Sequence, residues 1–153
     1  MNTTEKAPVL VGVDGSDSSL DALRYAAKIA AALGAPLRAI TTWDYPALVD
    51  LYPAPGWTPD EDAANVLDAA IRKVFAGDPP ADLSAAVVAG PAASVLIKES
   101  HGAEMLVLGS RGRGGFTGLL LGSVSSTCST HAHCPVLVVR HERHGENAEH
   151  TES

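Results

Sequence analysis

Apolar residues along the chain fall into five short runs with helical spacing between them. The runs are 8–13 (P-V-L-V-G-V), 37–43 (L-R-A-I-T-T-W), 83–88, 105–108 (M-L-V-L) and 135–139 (P-V-L-V-V). Short, nearly continuous apolar runs are expected of strands covered on both faces of a parallel sheet. The third run is the weakest, because Ser84, Ala85 and Ala86 have little strand preference. Between the runs the period changes. Ala22, Ala26, Ile29 and Leu33 recur at helical spacing and stop at Gly34, with Pro36 beyond. Ala63, Leu67, Ala70, Ile71 and Val74 mark a second amphipathic helix closed by Gly77. Gly90-Pro91 opens a third helix, with Pro91 at its first position, Val95 and Leu96 turned inward and an end at His101-Gly102. A fourth covers Ser123 to about His131. The order β-α-β-α-β-α-β-α-β predicts a single α/β domain whose parallel sheet carries helices on both faces.

Local chemistry refines the ends of these elements. Ser16 to Ser19 offer several N-caps for the first helix, and Ser18 with Asp21 three residues on resembles a capping box. The alanines of that helix allow it to sit close to a sheet. Residues 45–59 hold prolines at 46, 53, 55 and 59 and aromatics at 45, 52 and 57, which excludes a regular helix or central strand. So long a connection inside one domain is usually functional or mobile: Tyr45 or Trp57 could cover a ligand at the end of the second strand, or the segment could be a surface loop folded on its own side chains. The domain is expected over 8–140, between a flexible N-terminus (1–7) and a disordered polar tail (141–153). There is no internal repeat.

Composition narrows the function classes. The 153 residues include 46% hydrophobic ones, ordinary for a folded protein, and carry a net charge of −7. An acidic chain is a poor general binder of nucleic acid, which recruits excess Lys and Arg. No signal peptide is evident at the N-terminus, and no apolar run is long enough to cross a bilayer. The expectation is a cytoplasmic protein with neither nucleic acid nor membrane as partner. Cys128 and Cys134 are expected as free thiols, although a bridge between them would close a small loop. His131, His133 and Cys134 lie too close together in sequence to wrap a tetrahedral zinc.

Candidate chemistry concentrates in 104–126 (E-M-L-V-L-G-S-R-G-R-G-G-F-T-G-L-L-L-G-S-V-S-S). Here a buried strand runs into six glycines and then into a polar helix start. Glycine lets backbone approach an anion closely, and the free N–H groups of a helix start point at it. In parallel sheets, ligands bind at the carboxyl ends of the strands where the winding direction switches. Those ends carry Asp14, Asp44 and the glycine stretch. A Walker pattern G-x-x-x-x-G-K-S/T is absent, as are G-x-G-x-x-G after the first strand and G-x-S-x-G.

What is present is Gly109-x-x-Gly112, nine further residues, and Gly122-Ser123. This G-2x-G-9x-G-S/T spacing, with a first strand ending V-D-G-S, resembles the ATP-binding branch of the universal stress protein family, and the likeness runs from Pro8 to Arg140. The resemblance implies a Rossmann-like, adenine nucleotide alpha hydrolase-like three-layer sandwich with a five-stranded parallel sheet in the order 3-2-1-4-5. It also implies a homodimer formed through the last strand (135–140), bound ATP with a divalent ion such as Mg²⁺, and a regulatory, stress-response role. Carried over by position, Gly109, Gly112, Gly122 and Ser123 match phosphate and ribose contacts, with Val124 and Ser125 adding contacts at the helix start. Asp14 matches the aspartate near ribose and metal, which it would hold directly or through water. Gly12, Val13 and Leu108 line the same wall. Thr42 matches the position whose backbone reads adenine, although a slip of one residue would move that role to Thr41. Backbone N–H groups at 122–124 and the hydroxyls of Ser123 and Ser125 are the phosphate donors, and Arg111, more than Arg113, offsets phosphate charge.

Two other function classes fit the same residues. One is a metal-dependent nucleotide hydrolase or nucleotidyl transferase using Asp14. The other is an interaction module in which Phe116 and Leu119–Leu121 dock a partner. AMP or cyclic AMP could replace ATP, since the adenine and ribose contacts are shared. Without a Walker lysine or an evident general base, any ATPase activity is expected to be slow.

Overall fold

Alternation along the strands decides which side chains reach which helical layer. The computed structural model describes residues 6–44, 58–111 and 121–141. Five strands, β1 (Val9–Gly12), β2 (Leu37–Trp43), β3 (Leu83–Ala89), β4 (Met105–Gly109) and β5 (Val136–Val139), form one parallel sheet in the order β3-β2-β1-β4-β5. Four helices alternate with them: α1 (Asp17–Leu33), α2 (Pro59–Phe75), α3 (Ala92–Glu99) and α4 (Ser123–His131). The expected fold class and strand order are both observed.

Odd positions of β1 and β2 meet α1 and α2. Val9, Val11, Leu37 and Ala39 bury with Ala22, Leu23, Ala26, Ala30, Leu67 and Ala70. Even positions face the other way, where Leu10, Ile40, Leu106 and Leu108 bury with Val95 and Leu96 of α3 and Cys128 of α4. The sheet therefore turns its winding between β1 and β4, the two adjacent central strands. Arg38, on the α3 face of β2, forms an ion pair with Glu99. The outer strands β3 and β5 are less covered than β1, as edges must be.

Several element ends differ from the sequence expectation. Ser16, not Ser18, caps α1: its hydroxyl accepts the Ser19 N–H at 3.2 Å. Ser18 is buried instead, and Asp21 pairs with Arg24 at 2.8 Å rather than closing a capping box. Leu33, placed on the inner stripe by spacing, is exposed where the helix ends at Gly34. Pro59 opens α2 instead of closing the preceding loop, at a first-turn position where its missing N–H costs nothing. That helix stops on Ala76, at φ 51°, one residue before Gly77. Pro91 stands at the cap of α3 rather than inside it, and α3 ends at Glu99 with Ser100 as its cap.

The expectations for residues 1–5, 45–57, 112–120 and 142–153 lie outside the described residues. These include Gly112, Arg113, Phe116, the Tyr45/Trp57 cover and most of the polar tail. No helix among the described residues is long and apolar enough to cross a membrane.

Candidate functional site

The carboxyl ends of β1 and β4 lie side by side, because Val9–Val11 pair in register with Met105–Val107. This places Gly12, Val13 and Asp14 next to Leu108, Gly109, Ser110 and Arg111. Hydrogen bonds from β2 hold the Val13 peptide on both sides. Its N–H donates to the Ile40 carbonyl at 2.9 Å, and its carbonyl accepts the buried Thr41 hydroxyl at 2.8 Å. Thr41 is thus a structural tie. Thr42, the residue expected near adenine, is half-buried, alternates to the opposite face and pairs in register with Val88.

Asp14 begins the turn into α1. One of its carboxylate oxygens accepts the Ser16 N–H at 2.9 Å, and its own N–H donates to the Ser19 hydroxyl at 3.3 Å. Gly15 follows at φ 87°, in the left-handed region that glycine enters without strain. The half-buried Asp14 carboxylate is therefore fixed beside the strand end by local backbone.

Gly109 shows why glycine ends β4. A Cβ there would lie 2.6 Å from the Ser18 carbonyl carbon and 2.8 Å from its oxygen, so α1 can cross the end of β4 only over a bare Cα. Gly12 is different. Its added Cβ would meet the tips of Leu108 at 2.8 Å and Leu96 at 3.1 Å, which are side chains. The family resemblance assigns both glycines to the ligand wall, while the structure gives each a packing reason as well.

The same crossing is stitched by hydroxyls. Ser18 Oγ donates to the Val139 carbonyl at 3.4 Å and accepts the Arg111 N–H at 3.5 Å, while Ser16 Oγ donates to the Arg111 carbonyl at 3.4 Å. The Ser110 N–H donates to the Val139 carbonyl at 2.9 Å. The Gly122 N–H donates to the Ser110 carbonyl at 2.6 Å, which holds Gly122 one residue from Gly109 at the end of β4.

At that point α4 begins. Its cap is Gly122, which supplies no side-chain hydrogen bond, so no side chain of the cap covers the N–H groups of the first turn. Ser123 is exposed there and Val124 half-buried. Ser125 has a structural partner as well. It is buried, and its hydroxyl donates to the Gly109 carbonyl at 2.5 Å, which anchors α4 to β4. This tertiary partner, 16 positions upstream, has no local signal. Sequence reasoning missed Ser16 and Ser18 as organisers of the glycine stretch; the clustered hydroxyls after Asp14 were the available sign.

Chemically, the paired ends of β1 and β4 present the Asp14 carboxylate, the start of α4 and small side chains between them. Helix starts favour anions through their free N–H groups and the aligned peptide dipoles. Among the described residues, no group of three or more His, Cys, Asp or Glu is placed to hold a metal ion. A divalent ion at Asp14 would therefore need oxygen ligands from a bound phosphate and water.

The comparisons with known proteins agree with this architecture. The model of the Universal stress protein family matches residues 7–140. A universal stress protein of Mycolicibacterium smegmatis is 36% identical over 143 residues, covering 88% of this chain and 46% of the relative. One from Mycobacterium tuberculosis (strain H37Rv) is 37% identical over 139 residues, covering 89% and 46%. The chain thus spans about half the length of the curated relatives it matches. Among solved structures, a universal stress protein in complex with cAMP superposes with a TM-score of 0.67 at 30% identity, over 91% of this chain and all of that one. With nearly the whole described domain matched in sequence and in strand order, the chain belongs to the universal stress protein family.

Proposed function

We propose that the domain binds an adenine nucleotide at the carboxyl edge between β1 and β4, with ATP and Mg²⁺ as the preferred pair. The observation that carries this reading is the open start of α4, brought by the Gly122–Ser110 hydrogen bond against the end of β4 and close to the Asp14 wall. The phosphates take the N–H groups of Ser123, Val124 and Ser125, and the adenine lies toward Thr42. Gly12, Val13, Leu108 and Gly109 form the floor. Bound magnesium would supply charge neutralisation, with Asp14 its protein ligand directly or through water. The related structure in complex with cAMP supports an adenine nucleotide at 30% identity, and makes cAMP the first competitor to test alongside AMP.

The proposed role is regulatory. A ligand that binds the folded domain shifts its stability and assembly by mass action, and so reports nucleotide level. Hydrolysis is proposed to be slow, since the sequence has no lysine beyond Lys98 to act as a Walker lysine. Homodimerisation is proposed through residues 135–140, because β5 is an edge strand whose free side can pair with a second copy. The proposed setting is the cytoplasm.

Gly122→Val tests the site. Gly122 sits at φ −73° and ψ 169°, extended backbone that valine adopts readily, so folding should survive while the branched side chain occupies the phosphate position. Calorimetric titration with ATP and Mg²⁺ should show affinity reduced by tenfold or more, roughly the effect of 1.4 kcal/mol or above. Unchanged affinity, with an unchanged melting temperature, would remove the phosphates from this edge. Parallel titrations with AMP and cAMP rank the three nucleotides.

A further inference from the structure

Cys128 and Cys134 take no part in the nucleotide reading, yet the fold brings them to one side of the sheet. Val136 of β5 belongs to the apolar cluster between the sheet and α3/α4, and Cys134, two residues upstream, packs against the same cluster. Cys128 lies on the inner face of α4 and is fully buried in it. The two thiols thus flank the turn that joins α4 to β5. That turn is held in place by backbone and by the end of α3. The Ala132 N–H donates to the Cys128 carbonyl at 2.8 Å, the His133 N–H donates to the buried Ser100 hydroxyl at 2.9 Å, and the His133 ring stacks on His101 with centroids 3.6 Å apart. The thiols also sense each other electrostatically. Burial raises the Cys128 thiol above its ordinary range, and charge on Cys134 raises it further.

We propose that Cys128 and Cys134 are an oxidative modification site, joined by an intramolecular disulfide when the protein meets a hydroperoxide. Cys134, the more accessible of the two, reacts first. Its sulfur takes the terminal oxygen of the peroxide as the O–O bond breaks, leaving a sulfenic acid and, with hydrogen peroxide, one water. The Cys128 sulfur then attacks the sulfenyl sulfur; the S–S bond forms, the S–O bond breaks and a second water leaves with the thiol proton. Two thiols are oxidised and one peroxide is reduced. Burial raises the Cys134 thiol too, against a smaller opposing effect of a hydrogen bond from the Leu106 backbone, so the first step is slow compared with that of a low-pKa sensor thiol. The product pins the last turn of α4 to the start of β5, at the edge of the sheet opposite the nucleotide site.

The test treats the full chain with hydrogen peroxide, quenches it with an alkylating agent, denatures and digests it, and maps the peptides by mass spectrometry. The expected result is a linked peptide joining residues 128 and 134, with both alkylation sites lost together and both recovered by reductant. Cys134→Ser should abolish the linkage and leave Cys128 alkylated after denaturation. Cys128→Ala, which keeps Cys134 and adds no polar group to the core, should stop at an oxidised Cys134 that a dimedone probe traps. Two thiols that stay alkylatable, a Cys134 oxidised beyond sulfenic acid without linkage in the unaltered chain, or disulfides only between chains would overturn the proposal. None of these readouts depends on nucleotide.

Discussion

Two glycines end the central strands at the same edge of the sheet, and their surroundings differ in kind. On the α1 side, Gly109 faces the Ser18 backbone, which is fixed by the cap of α1 and by the bonds Ser18 makes to Val139 and Arg111. On the α3 side, Gly12 faces the methyl ends of Leu96 and Leu108, which can change rotamer. The same residue type is thus required on one side by main chain and favoured on the other by packing. The rigid side also carries the stitched hydroxyls and the hydrogen bond that holds Gly122, so the candidate site is built where the scaffold yields least. Sites held by rigid supports keep their geometry without a cost at binding.

Substitutions can break this comparison. Gly109→Ala should have the largest effect, a loss of about 2–3 kcal/mol typical of severe overpacking, read as a lower midpoint in urea unfolding. Adding Ser18→Ala should leave most of that loss in place, because the carbonyl carbon and oxygen remain. A full rescue would show that the hydroxyl alone sets the crossing. Ser125→Ala comes next. It leaves the half-buried Gly109 carbonyl without its hydroxyl donor and should cost about 1 kcal/mol, with a small drop in nucleotide affinity as α4 loosens. Gly12→Ala should be the mildest, below about 1 kcal/mol, and should be offset in part by Leu108→Val. If Gly12→Ala proved as damaging as Gly109→Ala, the contrast between backbone and side-chain walls would fail.

The fold was legible in the sequence to the extent that burial on both faces leaves a period. Leu10, Val11, Leu106 and Val107 could be placed in strands because each run is apolar on both faces, and Ala22 and Ala26 in a helix because their spacing survives in one. Ends were harder to place. Ser16 and Ser18 are chemically identical caps, and only the crossing of α1 over β4 decides that Ser16 caps while Ser18 is buried. Leu33 kept the helical spacing but falls where the helix runs past the sheet. Of the candidate site, Asp14 and the Gly122-Ser123 pair were readable as a strand end and a helix start. The inward hydroxyl of Ser125 and the dual role of Gly109 depend on partners far along the chain, which spacing does not encode.

The central claim is that nucleotide phosphates meet the first turn of α4 beside Asp14. Backbone amide shifts recorded while ATP and Mg²⁺ are titrated into the isotopically labelled protein test it most directly. The account predicts the largest changes at Ser123, Val124 and Ser125, with smaller ones at Gly12–Asp14 and Gly109–Arg111, while His101 and His133 at the opposite edge stay still. Saturable shifts centred on the opposite edge, or none at the start of α4, would contradict it.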